Sequence, residues 1–214
     1  MTESRAARVL LAAWCTVAPL QTSVAADPAR LKIVAIAPGY GGEAAAGKRW
    51  TIYLDGFIDI GAADRMRRLV TRESISDALV YFNSPGGHLV EAMALGRLLR
   101  ERAFETNVGS RTAAARQPAA GVCYSACPFA YAGGVQRSLA AGSVLGVHRA
   151  ENSVPVTDES AFQGVVAEHV TDYLATMGIG GGLLAIMSQV PHEQIRVLEN
   201  QELQQLNLVT AGQD

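Results

Sequence analysis

A serine, a histidine and a glycine pair stand in this chain in the order that acyl chemistry needs. A serine hydroxyl attacks a carbonyl only when a neighbouring base takes its proton, and the tetrahedral intermediate needs N–H donors where the negative charge develops. Ser125, in the stretch Gly121-Val122-Cys123-Tyr124-Ser125-Ala126-Cys127, is the candidate nucleophile. His148, which closes the apolar run from Val144 to Val147, is the candidate base. Upstream, the run Ala78 to Phe82 opens into Asn83-Ser84-Pro85-Gly86-Gly87, a turn whose backbone N–H groups could hold an oxyanion. Gly87 suits that role because it tolerates unusual backbone conformations and leaves no side chain in the way of a substrate. Ala126, the residue after the serine, would supply the second donor. Plainer roles stand beside these: a serine is a common helix N-cap, and a strand-end histidine is commonly structural.

In this order and at these separations the three motifs resemble the Clp protease proteolytic subunit and its relatives in the ClpP/crotonase superfamily, especially periplasmic members with a Ser-Ala-Cys motif. The resemblance spans residues 50–210 and implies an α/β domain with a mainly parallel sheet and flanking helices. It also implies a peptide or protein substrate, assembly as a homo-oligomer and no cofactor. It assigns Ser125 as nucleophile, His148, about two dozen residues later, as base, and Gly87 and Ala126 as oxyanion donors. Of the other histidines, His169 falls inside a long helix, His192 follows Pro191 in a turn, and His88 follows the glycine turn, where it could touch substrate without reaching Ser125. A lysine base, used by some relatives, is disfavoured because Lys32 and Lys48 both precede the nucleophile.

The third catalytic member departs from the family pattern. An aspartate is expected shortly before the terminal strand and helix, but the chain there reads Val190-Pro191-His192-Glu193-Gln194-Ile195. Glu193 is the nearest carboxylate, either an orienting acid or a surface glutamate. Asn207-Leu208-Val209 resembles the family's closing Gly-Leu-Val, asparagine being able to take the left-handed conformation. The missing aspartate keeps a second reading open, a binding or scaffold protein that retains the fold without hydrolysis.

These residues need strands and helices to position them. β-prone Trp50 to Leu54 is the first firm strand, followed after Asp55-Gly56 by a second extended stretch from Phe57 to Ile60. Helical spacing runs from Ala62 to Thr71, and Ala78 to Phe82 has the unbroken apolar character of a central parallel strand. A helix is expected from His88 to Arg102 with Arg97, Arg100 and Glu101 largely outward, and then a strand from Phe104 to Val108. Ser110 to Ala120 and Ala150 to Thr157 read as loops, and Ser125 as the start of a helix with Pro128 in its first turn. Val144 to His148 is a further strand, and Asp158 to Met177 a long helix. An apolar helical stretch from Leu183 to Met187, a short strand from Ile195 to Leu198 and a helix from Gln201 to Leu206 complete the chain. Strands alternating with helices give an α/β class.

The whole chain of 214 residues, 49% hydrophobic and 18% charged, can bury one substantial core. Its net charge of −2 and scattered arginines argue against nucleic acid as a partner. Arg5 and Arg8, the apolar run from Val9 to Leu20, and small residues at Ser23 and Ala25 have the pattern of a secretion signal over residues 1–25. That run is too short to span a bilayer permanently, so no stable transmembrane segment is expected after cleavage. The expected product is periplasmic or secreted, with an N-terminal arm over 26–49 and the catalytic domain over 50–214. Trp14 ahead of Cys15 argues against a lipid anchor. Coenzyme A thioester chemistry, known on this fold, is disfavoured by export. Cys123 and Cys127 bracket Ser125 and would meet an oxidising compartment, either as a disulfide or as two buried thiols. Two cysteines without clustered histidines give no zinc site, and no metal is expected.

Overall fold

The computed structural model describes residues 30–39, 49–112, 118–151 and 158–210, with the side chains of Glu159, Phe162 and Gln163 excepted. The expected signal over 1–25, much of the arm, Lys48 and the middles of the two loops lie outside the described residues. Strands β1 (Lys32–Ile36), β2 (Trp50–Asp55), β3 (Ala78–Asn83), β4 (Glu105–Val108) and β6 (Arg137–Leu139) form one five-stranded sheet in the order β1-β2-β3-β4-β6. The pairings β2–β3, β3–β4 and β4–β6 are parallel, and only β1 runs antiparallel. A second sheet of three short strands, β5 (Val122–Tyr124), β7 (Val144–Val147) and β8 (Arg196–Val197), is ordered β5-β7-β8.

Alternation in β2 and β3 turns Ile52, Leu54, Val80 and Phe82 into the core, where none has exposed surface. Helix α1 (Ala62–Arg72) contributes Met66 and Val70 to that core, and α2 (Leu89–Glu101) contributes Leu95, Leu98 and Leu99. Each such side chain stabilises the fold by about 1.5–3 kcal/mol relative to exposure. Helix α3 (Cys127–Ala132) lies against α2 so closely that a Cβ on Gly133 would overlap the Gly96 backbone. Two further bonds fix α3: Tyr173 Oη donates to the Phe129 carbonyl at 2.5 Å, and Thr106 Oγ1 to that of Tyr131 at 2.8 Å. Tyr173 comes from α4 (Glu159–Thr176), which is followed by α5 (Gly182–Ser188) and α6 (Asn200–Gln205).

Three expectations need correction. Phe57 to Ile60 is not a strand; it touches its neighbours only through single bridges, Arg30 with Phe57 and Ile58 with Gly87. In this stretch the Asp59 carboxylate accepts hydrogen bonds from Arg65, Arg30 and the Leu31 N–H. Arg100 does not point outward, because its guanidinium donates to the carbonyls of Ala132, Gly134 and Met177. The strands β5 and β6, absent from the sequence reading, lie on either side of α3.

Arg137 in β6 is 2% exposed and faces no carboxylate among its hydrogen-bond partners. Its guanidinium donates instead to the carbonyls of Gly134, Asn207 and Leu208 at 2.7, 2.6 and 3.2 Å. A second tie closes the same region, with the Thr210 N–H on the Arg137 carbonyl and the Arg137 N–H on Thr210 Oγ1. The last described residues are thereby fastened to the edge of the large sheet.

Candidate active site

Strand β5 joins the two sheets and delivers the serine. The Ser84 N–H donates to the Val122 carbonyl at 2.7 Å, and the Tyr124 N–H returns to the Ser84 carbonyl at 3.0 Å. On its other side β5 pairs in parallel with β7, whose C-terminal end carries His148. Sequence expectation made Ser125 the first residue of the helix. It instead lies between β5 and the N-cap Ala126, in the left-handed region at φ 60°. A serine held there costs about 1–3 kcal/mol, which surrounding contacts must offset. Here they are the Ser125 N–H bond to the Gly146 carbonyl at 3.0 Å, close packing on Gly86, and a disulfide between Cys123 and Cys127. A Cβ at Gly86 would come within 2.6 Å of the Ser125 Cβ.

His148 Nε2 lies 2.6 Å from Ser125 Oγ, a nucleophile–base hydrogen bond. Burial pushes the His148 pKa down. The Arg149 backbone and the Glu151 carboxylate oppose this, and His192 adds to it. The buried Nδ1 of His148 has no hydrogen-bond partner among the described residues. When Nε2 accepts the serine proton, the neutral ring carries its own proton on Nδ1, and an unpaired buried donor costs about 1–3 kcal/mol.

Gly87 and Ala126 flank the serine with unused donors. Gly87 sits at φ 149° between two backbone bonds to Ile58: the Ile58 N–H donates to the Gly86 carbonyl and the His88 N–H to the Ile58 carbonyl. That pattern turns the Gly87 N–H away from Ile58. Neither it nor the Ala126 N–H donates a hydrogen bond among the described residues. Any side chain at Gly87 would overlap the Ile58 backbone. Because α3 has only six residues, individual N–H groups matter here more than a helix dipole.

Glu193 is not brought to His148. Its Oε1 is 3.3 Å from Nδ1 of its neighbour His192, whose Nε2 is 3.0 Å from Glu151 Oε1. Gly87, Ser125, Ala126 and His148 line a cavity of about 400 Å³. Its apolar wall is Leu89, Val90, Phe129, Val166 and Met187, and its polar rim includes His88, Arg149 and Glu151. Glu151 is the site residue missed in the sequence. It lies in an apparent loop, and the Arg149 N–H bond to the Val190 carbonyl helps to hold that segment beside His192. A concavity of about 670 Å³ along α1, lined by Arg65, Arg67, Arg68 and Arg72, shares no residue with this cavity. Among the described residues no cluster of three or more His, Cys, Asp or Glu could hold a metal, and no helix is long and apolar enough to cross a membrane.

No family model and no curated protein matches the sequence. Among solved structures the chain is similar to ClpP1 from Listeria monocytogenes, at 15% identity and a TM-score of 0.55, over 74% of this chain and 88% of that one. It is also similar to two mutant forms of the 1510-N membrane-bound stomatin-specific protease, one in complex with a substrate peptide. Those likenesses have TM-scores of 0.44, with 10% and 12% identity, and cover 69% of this chain and 69% and 65% of those chains. The chain has the ClpP-like fold, an α/β architecture with a mostly parallel sheet and flanking helices. That fold is shared by unrelated activities, so function rests on the site.

Proposed function

We propose that the chain is an exported ClpP-like serine peptidase, or a related acyl hydrolase, acting through Ser125 and His148. The observation that carries this reading is the 2.6 Å contact of His148 Nε2 with a serine held in a left-handed turn between two unused N–H donors. In the first step His148 Nε2 takes the hydroxyl proton as Ser125 Oγ bonds to the acyl carbon. The Gly87 and Ala126 N–H groups receive the oxyanion. The imidazolium then gives its proton to the leaving amine, and water repeats the sequence to free the acid. The apolar wall of the cavity suits a peptide substrate, and assembly as a homo-oligomer belongs to the same proposal. Export rests on the signal pattern over residues 1–25 and implies a mature N-terminus near residue 26 in a periplasmic or secreted product.

One observation favours the second reading, a binding or scaffold protein on this fold. Among the described residues no acid pairs with His148 Nδ1, and the tautomer that catalysis needs leaves that nitrogen unpaired there. Labelling with an active-site-directed fluorophosphonate separates the two. Wild type is expected to label at Ser125 and Ser125→Ala to resist, whereas an unlabelled wild type supports the binding protein. The pH profile adds a check. Because burial lowers the His148 pKa, the base stays neutral and competent as pH falls below the ordinary histidine value of about 6.5. The acid limb of kcat/KM is therefore expected below that value, and a limb above it contradicts His148 as the base.

A further inference from the structure

Four non-glycine residues among those described have left-handed backbones: Ser74, Ala103, Ser125 and Asn207. Three follow the C-caps of α1, α2 and α6, where this conformation is an ordinary way to end a helix. Each of the three is flanked by the backbone bond of that ending, from Ile75 N–H to the Val70 carbonyl, Phe104 to Leu99, and Leu208 to Leu203. Ser125 is the exception. A strand precedes it, no helix-ending bond encloses it, and its own N–H is spent on Gly146 across the sheet. What encloses it is covalent: Cys123 and Cys127, both without exposed surface, close a disulfide over Tyr124, Ser125 and Ala126. The cross-link therefore spans the nucleophile and one oxyanion donor together.

We propose that the Cys123–Cys127 disulfide is a positioning element of the active site, holding Ser125 Oγ and the Ala126 N–H in reacting geometry, so that turnover depends on its oxidation state. The inference rests on the hydrolase reading above. The anchors on either side are separate: Cys123 is fixed in β5 against Leu145, and Cys127 begins α3, which Tyr173 and Thr106 hold against the core. Cutting the cross-link leaves both anchors in place and frees the turn between them to leave its left-handed conformation. The apolar wall of the cavity is built from α2, α3, α4 and α5, and its α3 member, Phe129, stays tied to the core through the Tyr173 bond to its carbonyl. Reduction thus acts on the chemical step and spares substrate binding. Dithiothreitol supplies the two electrons and two protons that convert the S–S bond to two thiols and closes to its own cyclic disulfide. A disulfide oxidant reverses the change.

The test compares fluorophosphonate labelling rates and peptide-ester kinetics for the oxidised chain, the dithiothreitol-reduced chain and the Cys123→Ala/Cys127→Ala variant. Iodoacetamide mass shifts count free thiols, and circular dichroism follows the fold. In the reduced chain and the variant, labelling and kcat are expected to fall roughly 10- to 100-fold, as for displacement of a reacting group by about 1 Å, with KM unchanged. Reoxidation should restore the wild type and leave the variant slow. If the reduction does not go to completion, the variant alone carries the comparison. Equal labelling rates in the oxidised and cross-link-free forms overturn the inference while leaving the hydrolase intact. Losses that merely track a lost circular-dichroism signal overturn it too, making the disulfide a staple of the fold. An oxidised wild type that takes no label removes the hydrolase reading and this inference with it.

Discussion

The five-stranded and three-stranded sheets share a chain but hold their residues by different means. In the larger sheet, β2 and β3 pair over six residues, and buried side chains beneath them set the register. In the smaller one the strands have three, four and two residues, too short for packing alone to fix a geometry. There the positions come from specific ties: Ser84 bonded to β5 on one side, Gly146 bonded to Ser125 on the other, and a cross-link over the turn. The large sheet supplies stability and one oxyanion donor, at the end of the turn after β3. The small sheet supplies the nucleophile and the base. Packing tolerates small shifts, whereas acyl transfer does not, which accounts for the denser local bonding around Ser125.

Substitutions can separate the two regions. The largest expected effect lies in the small sheet: Ser125→Ala and His148→Ala should each lower kcat on the order of 10⁴-fold, with the double variant scarcely worse, since members of a catalytic unit are non-additive. Multiplicative losses in steady-state kinetics would break the unit apart. At the junction of the sheets, Gly87→Ala should lower the rate roughly 10²–10³-fold by displacing an oxyanion donor. An unchanged kcat would remove Gly87 from the site. In the large sheet, Ile52→Ala should cost about 2–5 kcal/mol in urea unfolding through the cavity it leaves, yet keep kcat per folded molecule. A change in kcat there would mean that the sheets are coupled. Smallest is Glu193→Gln, expected within about 0.5 kcal/mol of wild type in both stability and kcat/KM, because its partner is His192 and not His148. A large kcat loss would restore Glu193 as the orienting acid.

The contrast also decides what could be read from the sequence. Ala78 to Phe82 and the helical spacing of α1 and α2 announce themselves because burial repeats over many residues, and period is a sequence property. Three residues contain no period, so β5 and β6, on either side of α3, went unread. Arg137 and Arg100 were illegible for a different reason: arginine is usually exposed, and their partners are carbonyls, which every residue carries. Ser125, His148 and Gly87 were legible as a set only through order and separation. The left-handed backbone of Ser125 left no trace, since the residues that impose it lie at Gly86, Cys123 and Cys127. Glu193 was chosen by its position along the chain and Glu151 was passed over, and position said nothing about His192 standing between them.

The carbonyl cage around Arg137 bears on the order in which the molecule can be completed as it folds. Its side chain is lodged inside the protein, yet two of its acceptors, Asn207 and Leu208, are made about seventy residues later. Until they are in place, the guanidinium has only the carbonyls of its own neighbourhood, Ala132 and Gly134, and β6 cannot settle without burying an under-solvated cation. The edge of the large sheet therefore closes only when residues 207–208 are in place. A chain truncated ahead of Asn207 would present an unfinished edge to whatever meets it first.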